Sequence, residues 1–438
     1  MPAMLVSPSH APKRAGFVLT MLFAACSMAA LAQEAQPVQT VQTNPGFMER
    51  IADPQFVSPS FSGLLESERE WTINMQRTEG VSFTPDDWIP QDSFVADWDW
   101  VDNSGYAFDT EALGAQGIGL LSGFSSLPQN VLDANLAIVT QINNNSPEST
   151  KQHAMVDAFG YNFLYFPADA LGPRLGYAFI QAYNDGRLAK AAALIKRSEL
   201  STDPSKNFYA YPRPFAVDGN SIQLVADTHY VFSDNHVEKS TGWSFPSGHT
   251  NMGVTDTLLL AEMIPERFAA LVARGDGYGY NRQVLGVHYP LDVIGGRMHA
   301  EFAVSHYLND PAYRTLFNQA RDELRAALTA YCGMPLDQCA APGDGESDPW
   351  ASEAARAFHD YTMNYGLPAP GRAGQPMMVP EGAEVLLEAA LPKLNAEQRR
   401  ALLEQTAEPS GEVLDQNNGN GSWQRLNLLR AYEAGSQQ

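Results

Sequence analysis

Apolar residues recur at intervals of three and four between about residues 130 and 330, and this spacing predicts amphipathic helices. The clearest runs are VLDANLAIVTQI at 131–142, LGYAFIQAYNDGRLAKAAALI at 175–195 and DTLLLAEMI at 256–264. Pro173 stands just before the second run, where a first helical turn is expected to begin. The pattern predicts a mainly α fold with a helical bundle at its centre.

The pattern changes on both sides of this region. Residues 33 to about 60 are rich in Gln, Pro, Ser and Thr, which is typical of a flexible leader. Residues 70–110 show no helical period, and their Trp and Asp residues are interpreted as packing and turn residues. Helical segments return at 349–366, 381–394 and 396–407. The sequence therefore predicts an N-terminal extension (33–129), a helical core domain (130–330) and a C-terminal helical extension (331–438).

The first 32 residues resemble a cleavable signal peptide. A Lys-Arg pair at 13–14 precedes an uncharged apolar run at 15–30, and an A-x-A site follows. This order predicts cleavage before Gln33 and a secreted or periplasmic protein. A membrane anchor is the alternative, but the run is short of the ~20 residues that span a bilayer. A lipoprotein site at Cys26 is disfavoured, because Phe23 stands where Leu is usual.

The net charge narrows the choice of partners. The whole chain carries −22, and removal of Lys13 and Arg14 with the signal peptide would make it −24. An acidic surface repels nucleic acid and anionic membranes, so an anionic substrate should be small and held by a local basic pocket. No later run reaches 18 apolar residues, so no stable membrane insertion is expected after cleavage. A homo-oligomer is compatible with the sequence.

Two cysteines remain after the predicted cleavage, Cys332 and Cys339. In an oxidising compartment they are expected to form a disulfide that closes a short loop. Two free buried thiols are the alternative. A glycine-rich stretch, Gly275-Asp-Gly-Tyr-Gly, lacks the strand and the Lys-Ser/Thr ending of a phosphate loop. It is predicted to be a loop between helices.

Three short blocks carry candidate chemistry: KNFYAYPRP at 206–214, PSGH at 246–249 and NRQVLGVHYPLD at 281–292. They contribute three cations, Lys206, Arg213 and Arg282. Three cations near one another suggest a bound anion, and a guanidinium matches a phosphoryl group with two parallel hydrogen bonds.

The second block should add backbone donors. Gly248 would let the main chain approach an oxyanion closely, and a helix beginning there offers N–H groups that no helical carbonyl uses. Ser247 can add a hydroxyl donor.

Two imidazoles, His249 and His288, complete the predicted site. One could attack phosphorus while the other protonates the leaving oxygen and later activates water. Asp292 follows His288 by four residues, so its carboxylate can reach one ring nitrogen and fix the tautomer. The chain has no H-E-x-x-H, paired C-x-x-C or D-x-D-x-D motif, so no metal site is predicted.

The three blocks together resemble the signature of the type 2 phosphatidic acid phosphatase superfamily: K-x6-R-P, then P-S-G-H, then S-R-x5-H-x3-D. That superfamily includes the class A bacterial non-specific acid phosphatases and the vanadium haloperoxidases. The residues at 258–275 and 307–328 resemble the class A enzymes most. The resemblance covers roughly residues 150–328, and the C-terminal part resembles extensions of larger secreted members more weakly.

The resemblance implies that the core domain is a helical-bundle acid phosphatase that hydrolyses phosphate monoesters through a phosphohistidine, with no metal or other cofactor. It implies that His288 is the nucleophile, Asp292 its orienting partner and His249 the general acid and base. It also implies a phosphate cradle made of Lys206, Arg213, Ser247, Gly248 and Arg282. Asn281 stands where the family usually has Ser, so tuning rather than loss of activity is expected.

Three other functions fit parts of the sequence. A vanadium-dependent haloperoxidase would hold vanadate in the same cradle, a lipid phosphatase would need membrane-spanning helices, and an anion-binding protein would not need the two histidines. Trp243 and Phe245 flank the second block and either wall the site or serve packing. The remaining histidines that follow the predicted signal peptide are interpreted as core or surface residues: His153, His229, His236, His299, His306 and His359.

Overall fold

A computed structural model describes residues 44–52, 95–159, 164–225, 242–343, 348–416 and 422–438. The predicted signal peptide, His229 and His236 lie outside these ranges. The described residues contain no strand, which confirms the mainly α prediction. They form sixteen α-helices: α1 (Phe47–Ile51), α2 (Trp98–Asp102), α3 (Thr110–Leu120), α4 (Gln129–Asn145), α5 (Glu148–Phe159), α6 (Pro173–Asn184), α7 (Ala189–Ser198), α8 (Asp203–Tyr209), α9 (Gly248–Met263), α10 (Phe268–Val284), α11 (Pro290–Asn309), α12 (Pro311–Cys332), α13 (Leu336–Ala340), α14 (Glu353–Thr362), α15 (Ala396–Gln405) and α16 (Leu428–Ser436).

The run at 175–195 is two helices, α6 and α7. Pro173 is the first residue of α6, as predicted. Beyond Asn184 the chain adopts positive φ at Gly186 (71°), and the Arg187 amide donates to the Ala182 carbonyl (2.8 Å). This is a Schellman C-cap, which glycine favours because it has no Cβ. The spacing of the apolar residues continues across the break, because the apolar faces of both helices pack against the same core.

Helices α9, α10 and α11 form the centre of the core. Every residue of α9 from His249 to Met263 is buried, so this helix has no solvent-facing side. The helices approach closely at glycines. A Cβ added at Gly253 would lie 2.5 Å from the Tyr278 ring, and one at Gly296 would lie 2.7 Å from the Ser247 carbonyl oxygen. The glycines thus set the spacing between the helices that carry the second and third sequence blocks.

The prediction of a loop at 275–279 was wrong. These residues lie in the middle of α10, where three glycines each reduce helix propensity by about 1 kcal/mol relative to alanine. Tertiary packing overrides that preference. A Cβ at Gly275 would lie 2.5 Å from Thr257 Oγ1, and one at Gly279 would lie 2.7 Å from Val293 Cγ1.

The C-terminal part packs on the core helices. Within 381–394 the structure has a 3-10 turn, Ala383–Leu387, in place of the expected α-helix, whereas 396–407 contains α15. The Ala389 amide donates to Glu262 of α9 (3.0 Å). Cys332 and Cys339 form the expected disulfide. None of the described helices is long and apolar enough to cross a membrane.

We expect Gly296→Ala to lower the free energy of unfolding by about 2 kcal/mol, because the new methyl group would overlap the Ser247 carbonyl and force α9 and α11 apart. Urea unfolding followed by circular dichroism measures the change. The matched control is Gly119→Ala on α3, where an added Cβ meets nothing within 4 Å. The control should gain up to about 1 kcal/mol from helix propensity. Equal effects of the two substitutions would contradict the proposed helix spacing.

Candidate active site

His288 lies in the short connection between α10 and α11. Helix α10 ends in a Schellman cap, in which Gly286 has φ 77° and the Val287 amide donates to the Arg282 carbonyl (3.2 Å). Pro290 then begins α11. The two helix ends therefore fix His288 from both sides, and its exposed fraction is 1%.

Asp292 holds His288 in one tautomer. Its Oδ2 lies 2.9 Å from His288 Nδ1, so Nδ1 carries the proton and donates it. The other ring nitrogen, Nε2, lies 2.8 Å from Arg213 Nη1. A guanidinium can only donate, so Nε2 must present its lone pair. Both contacts independently assign the same tautomer, with a nucleophilic nitrogen facing a cation.

Ser244 is a site residue that sequence reasoning missed. Its hydroxyl donates a short hydrogen bond to Asp292 Oδ2 and lies 3.5 Å from His288 Nδ1. The Tyr289 amide donates to the same carboxylate oxygen (2.9 Å). Three donors therefore converge on one oxygen and fix its position. The only sequence signal was that Ser244 lies two residues before the P-S-G-H block.

The second block forms the N-terminus of α9. Ser247 is the N-cap, and its Oγ accepts from the Thr250 amide (3.1 Å). Its own amide donates to the main-chain carbonyl of Asp292 (2.9 Å), which joins the start of α9 to the start of α11. Gly248 and His249 are the first two residues of the helix. Their amides therefore belong to the N–H groups at a helix start that have no acceptor within the helix.

The three predicted cations are supplied by different segments of the chain. Arg213 is buried and also donates to the Val287 carbonyl (3.0 Å). Lys206 lies on α8 and donates to the Trp243 carbonyl (3.0 Å). A Cβ added at Gly248 would lie 4.0 Å from Lys206 Cε, so the lysine stem runs beside the helix start. Arg282, near the end of α10, is fully buried.

Burial and positive charge lower the pKa of His288. Burial holds this pKa well below its usual range, and the charges of Arg213, Lys206, Arg282 and His249 lower it further. Burial also raises the pKa of Asp292 to about 6, against the hydrogen bonds from Ser244 and Tyr289. All the predicted cations act on the same imidazole, so the three blocks meet at one place. A ring surrounded by cations resists protonation in mildly acidic solution.

Asn281 faces away from this cluster, toward α5. Its amide donates to Asp157 Oδ2 (2.8 Å) and lies 3.1 Å from His153 Nδ1. Asp157 in turn accepts two bonds from the buried Arg274 (2.6 and 3.0 Å). The residue that departs from the family signature thus joins α10 to α5, and the expected tuning of activity stays a prediction.

The flanking aromatic residues have different environments. Phe245 is fully buried and stacks on Phe124, with ring centroids 4.0 Å apart, so it serves packing. Trp243 is 42% exposed. Among the other described histidines, His299 is buried, His306 is exposed, and His359 pairs with Asp276 (2.7 Å). Across the described ranges, no three His, Cys, Asp or Glu residues are grouped as a metal site would require.

Part of the chain is similar to known proteins. Residues 187–315, less than a third of the chain, match the PAP2 superfamily, and this range contains every predicted site residue. The chain is 33% identical over 125 residues to a non-specific acid phosphatase of Providencia stuartii (28% of this chain, 47% of that protein). It is 38% identical over 149 residues to an acid phosphatase of Zymomonas mobilis (33% and 53%). A non-specific acid phosphatase of Salmonella typhimurium is 32% identical over 124 residues (28% and 46%). The chain spans about half the length of the curated relatives it matches.

We expect His288 to remain neutral at pH values where an ordinary histidine, of pKa 6.5, is half protonated. Nitrogen-15 NMR of the histidine rings should show a protonated Nδ1 and a bare Nε2, with the signal assigned by its loss in His288→Gln. In Lys206→Gln the pKa of His288 should rise, because one of the charges that opposes protonation is removed. A His288 that titrates at or above 6.5 would contradict the assignment.

Proposed function

We propose that this chain, in which residues 187–315 are a PAP2-superfamily domain, is a phosphoric monoester hydrolase of the acid phosphatase type. The observation that carries the proposal is the contact chain from Asp292 through His288 to Arg213. It presents an unprotonated imidazole nitrogen beside a guanidinium, which suits attack on an anionic phosphorus centre. The named acid phosphatases among the relatives support the same activity.

In the proposed first step, the non-bridging oxygens of the phosphate monoester bind Arg213, Arg282, Lys206 and the amides at the start of α9. Arg213 moves its hydrogen bond from the imidazole to the phosphoryl group. His288 Nε2 attacks phosphorus, an N–P bond forms, and the bond from phosphorus to the leaving oxygen breaks. His249 gives its proton to that oxygen, and the alcohol departs.

In the second step His249 accepts a proton from water, and the resulting hydroxide attacks phosphorus. The N–P bond breaks, its electron pair returns to His288, and inorganic phosphate leaves. Asp292 stabilises the positive charge that the imidazole carries while it is bonded to phosphorus. The cations and amides bear the charge on the phosphoryl oxygens in both steps, so no metal ion is required for charge neutralisation.

The low pKa of His288 supports activity below neutral pH. A nucleophile must be unprotonated, and the surrounding charges keep this imidazole neutral in mildly acidic solution. The acidic chain and the signal-like N-terminus favour a secreted or periplasmic enzyme that acts on small substrates. We also propose that the enzyme accepts a broad range of phosphate monoesters.

We expect the purified chain to hydrolyse p-nitrophenyl phosphate at pH 5–6 in excess EDTA. His288→Ala should lower kcat by a factor of at least about 10³, because the nucleophile is lost. The control, His306→Ala, replaces an exposed histidine and should leave kcat unchanged. Turnover that needs a metal, or that survives His288→Ala, would overturn the proposal. Vanadate should inhibit the reaction, whereas vanadate-dependent oxidation of bromide by peroxide would indicate a haloperoxidase.

Ser244→Ala should lower kcat/KM about tenfold to a hundredfold, since it removes a hydrogen bond to a charged carboxylate worth roughly 1.5–3 kcal/mol. The pKa of Asp292 should rise above its value of about 6, because the lost bond stabilised the ionised form. The acidic limb of the pH–rate profile should therefore move to higher pH. Ser305→Ala is the control, as Ser305 is equally buried but bonds the Gly382 carbonyl. An unchanged profile in Ser244→Ala would contradict the role of Ser244.

A further inference from the structure

A cavity of about 600 Å³ begins at Gly248, the residue where α9 starts. It runs along Met252 toward the end of α7 and the segment that leads into α8. Met252 follows His249 by three residues, so the two side chains share one face of the helix. Thr202, the N-cap of α8, also lines the cavity, and its hydroxyl would lie 3.0 Å from a Cβ added at Gly248. The cavity therefore adjoins the proposed phosphate cradle on the side of the proposed general acid.

The walls of this cavity differ in chemistry. One wall carries two aromatic rings, Tyr106 and Phe108, packed edge to face at 4.9 Å. They are held from behind by Tyr307 and Tyr313. Most of the other lining residues are polar. Aromatic rings together with hydroxyl and carboxylate groups suit a ligand that has both C–H faces and hydroxyl groups.

The polar part of the lining includes a nearly buried ion pair. Lys196 donates to both oxygens of Glu199 (3.0 and 2.9 Å), and both residues line the cavity. Their side chains are 5% and 9% exposed. Asp256 of α9 lies next to Glu199, and burial raises the pKa of both carboxyl groups. The charge of Glu199 raises the pKa of Asp256 further, whereas Lys196 and a hydrogen bond from Asp256 lower the pKa of Glu199. A carboxylate can accept about four hydrogen bonds, so Glu199 keeps acceptor capacity beyond its two bonds from Lys196 and the one it shares with Asp256.

The fixed charges of the lining nearly balance. Lys196 pairs with Glu199, and Arg197 pairs with Asp102 at the rim (2.8 Å). Asp203 then leaves a slight excess of negative charge. A second phosphate on the ligand would meet this negative charge, and the described lining residues offer it no further cation. A neutral group with several hydroxyls would find acceptors at Glu199 and Asp203 and pack its C–H faces on the aromatic rings.

We propose that this cavity is the leaving-group pocket, that it selects neutral, hydroxyl-rich alcohols such as a hexose, and that Glu199 is a specificity-determining residue. The inference rests on the proposed phosphatase function. It predicts a preference for monophosphates of polyols over aryl phosphates and over esters with a second phosphate.

The test uses phosphonates, whose C–P bond the proposed reaction does not cleave. Calorimetry on the full chain compares methylphosphonate, which fills only the cradle, with phenylphosphonate and with a phosphonate analogue of a hexose 6-phosphate. We expect the hexose analogue to bind about tenfold more tightly than either. Glu199→Gln and, independently, Ser201→Phe, which fills the cavity, should abolish this advantage and leave methylphosphonate binding unchanged. The controls are Glu404→Gln and Ser436→Phe, at exposed positions outside the cavity.

Equal binding of the three phosphonates to the wild type, or an advantage that survives both cavity variants, would overturn the inference. So would a hexose analogue that fails to bind at all. Turnover of p-nitrophenyl phosphate, measured on the same preparation, decides the proposed function separately. An enzyme that hydrolyses this ester without preferring the hexose analogue keeps the function and loses the pocket assignment.

Discussion

The carboxylate of Asp292 is the point on which the candidate site depends. A charged group buried this deeply is costly unless donors surround it. Its Oδ2 takes hydrogen bonds from Ser244, Tyr289 and His288, and its main-chain carbonyl takes one from Ser247. These donors come from the segments before α9, at the start of α9 and before α11. The hydrogen bonds that the buried Asp292 accepts therefore bring the second and third sequence blocks together.

Close helix packing makes this convergence possible. Glycines on α9, α10 and α11 let the three buried helices approach within distances that any side chain would obstruct. Gly296 faces the Ser247 carbonyl directly, so the helix spacing and the site share the same contact. A network of Arg274, Asp157 and Asn281 fixes α10 against α5 from the other side. Arg282 follows Asn281, so the position of a proposed cradle residue depends on that network.

Charge determines the protonation state of His288 and the kind of substrate that the site suits. Three cations around one imidazole disfavour its protonation, so the same groups that suit an anionic substrate also keep His288 neutral. The tautomer follows from the two contacts at the ring, one to an acceptor and one to a donor. The cavity beside Gly248 differs in chemistry from this cationic region, because its lining combines paired charges with aromatic rings. The cationic region suits a phosphoryl group, and the cavity suits an alcohol.

The sequence by itself indicated the helical character of the chain and the three blocks that the structure brings together. Periodicity predicted helices such as α4 and α6 because an amphipathic face records burial, and the block spacing placed Asp292 one turn from His288. Local patterns could not predict Ser244 or the cavity, because these depend on segments far apart in the chain. Nor could they predict that three glycines stay helical in α10, where contacts with α9 and α11 outweigh propensity. Local sequence patterns reflect the intrinsic conformational preference of each residue, whereas the tertiary structure decided which residues from distant segments contact it.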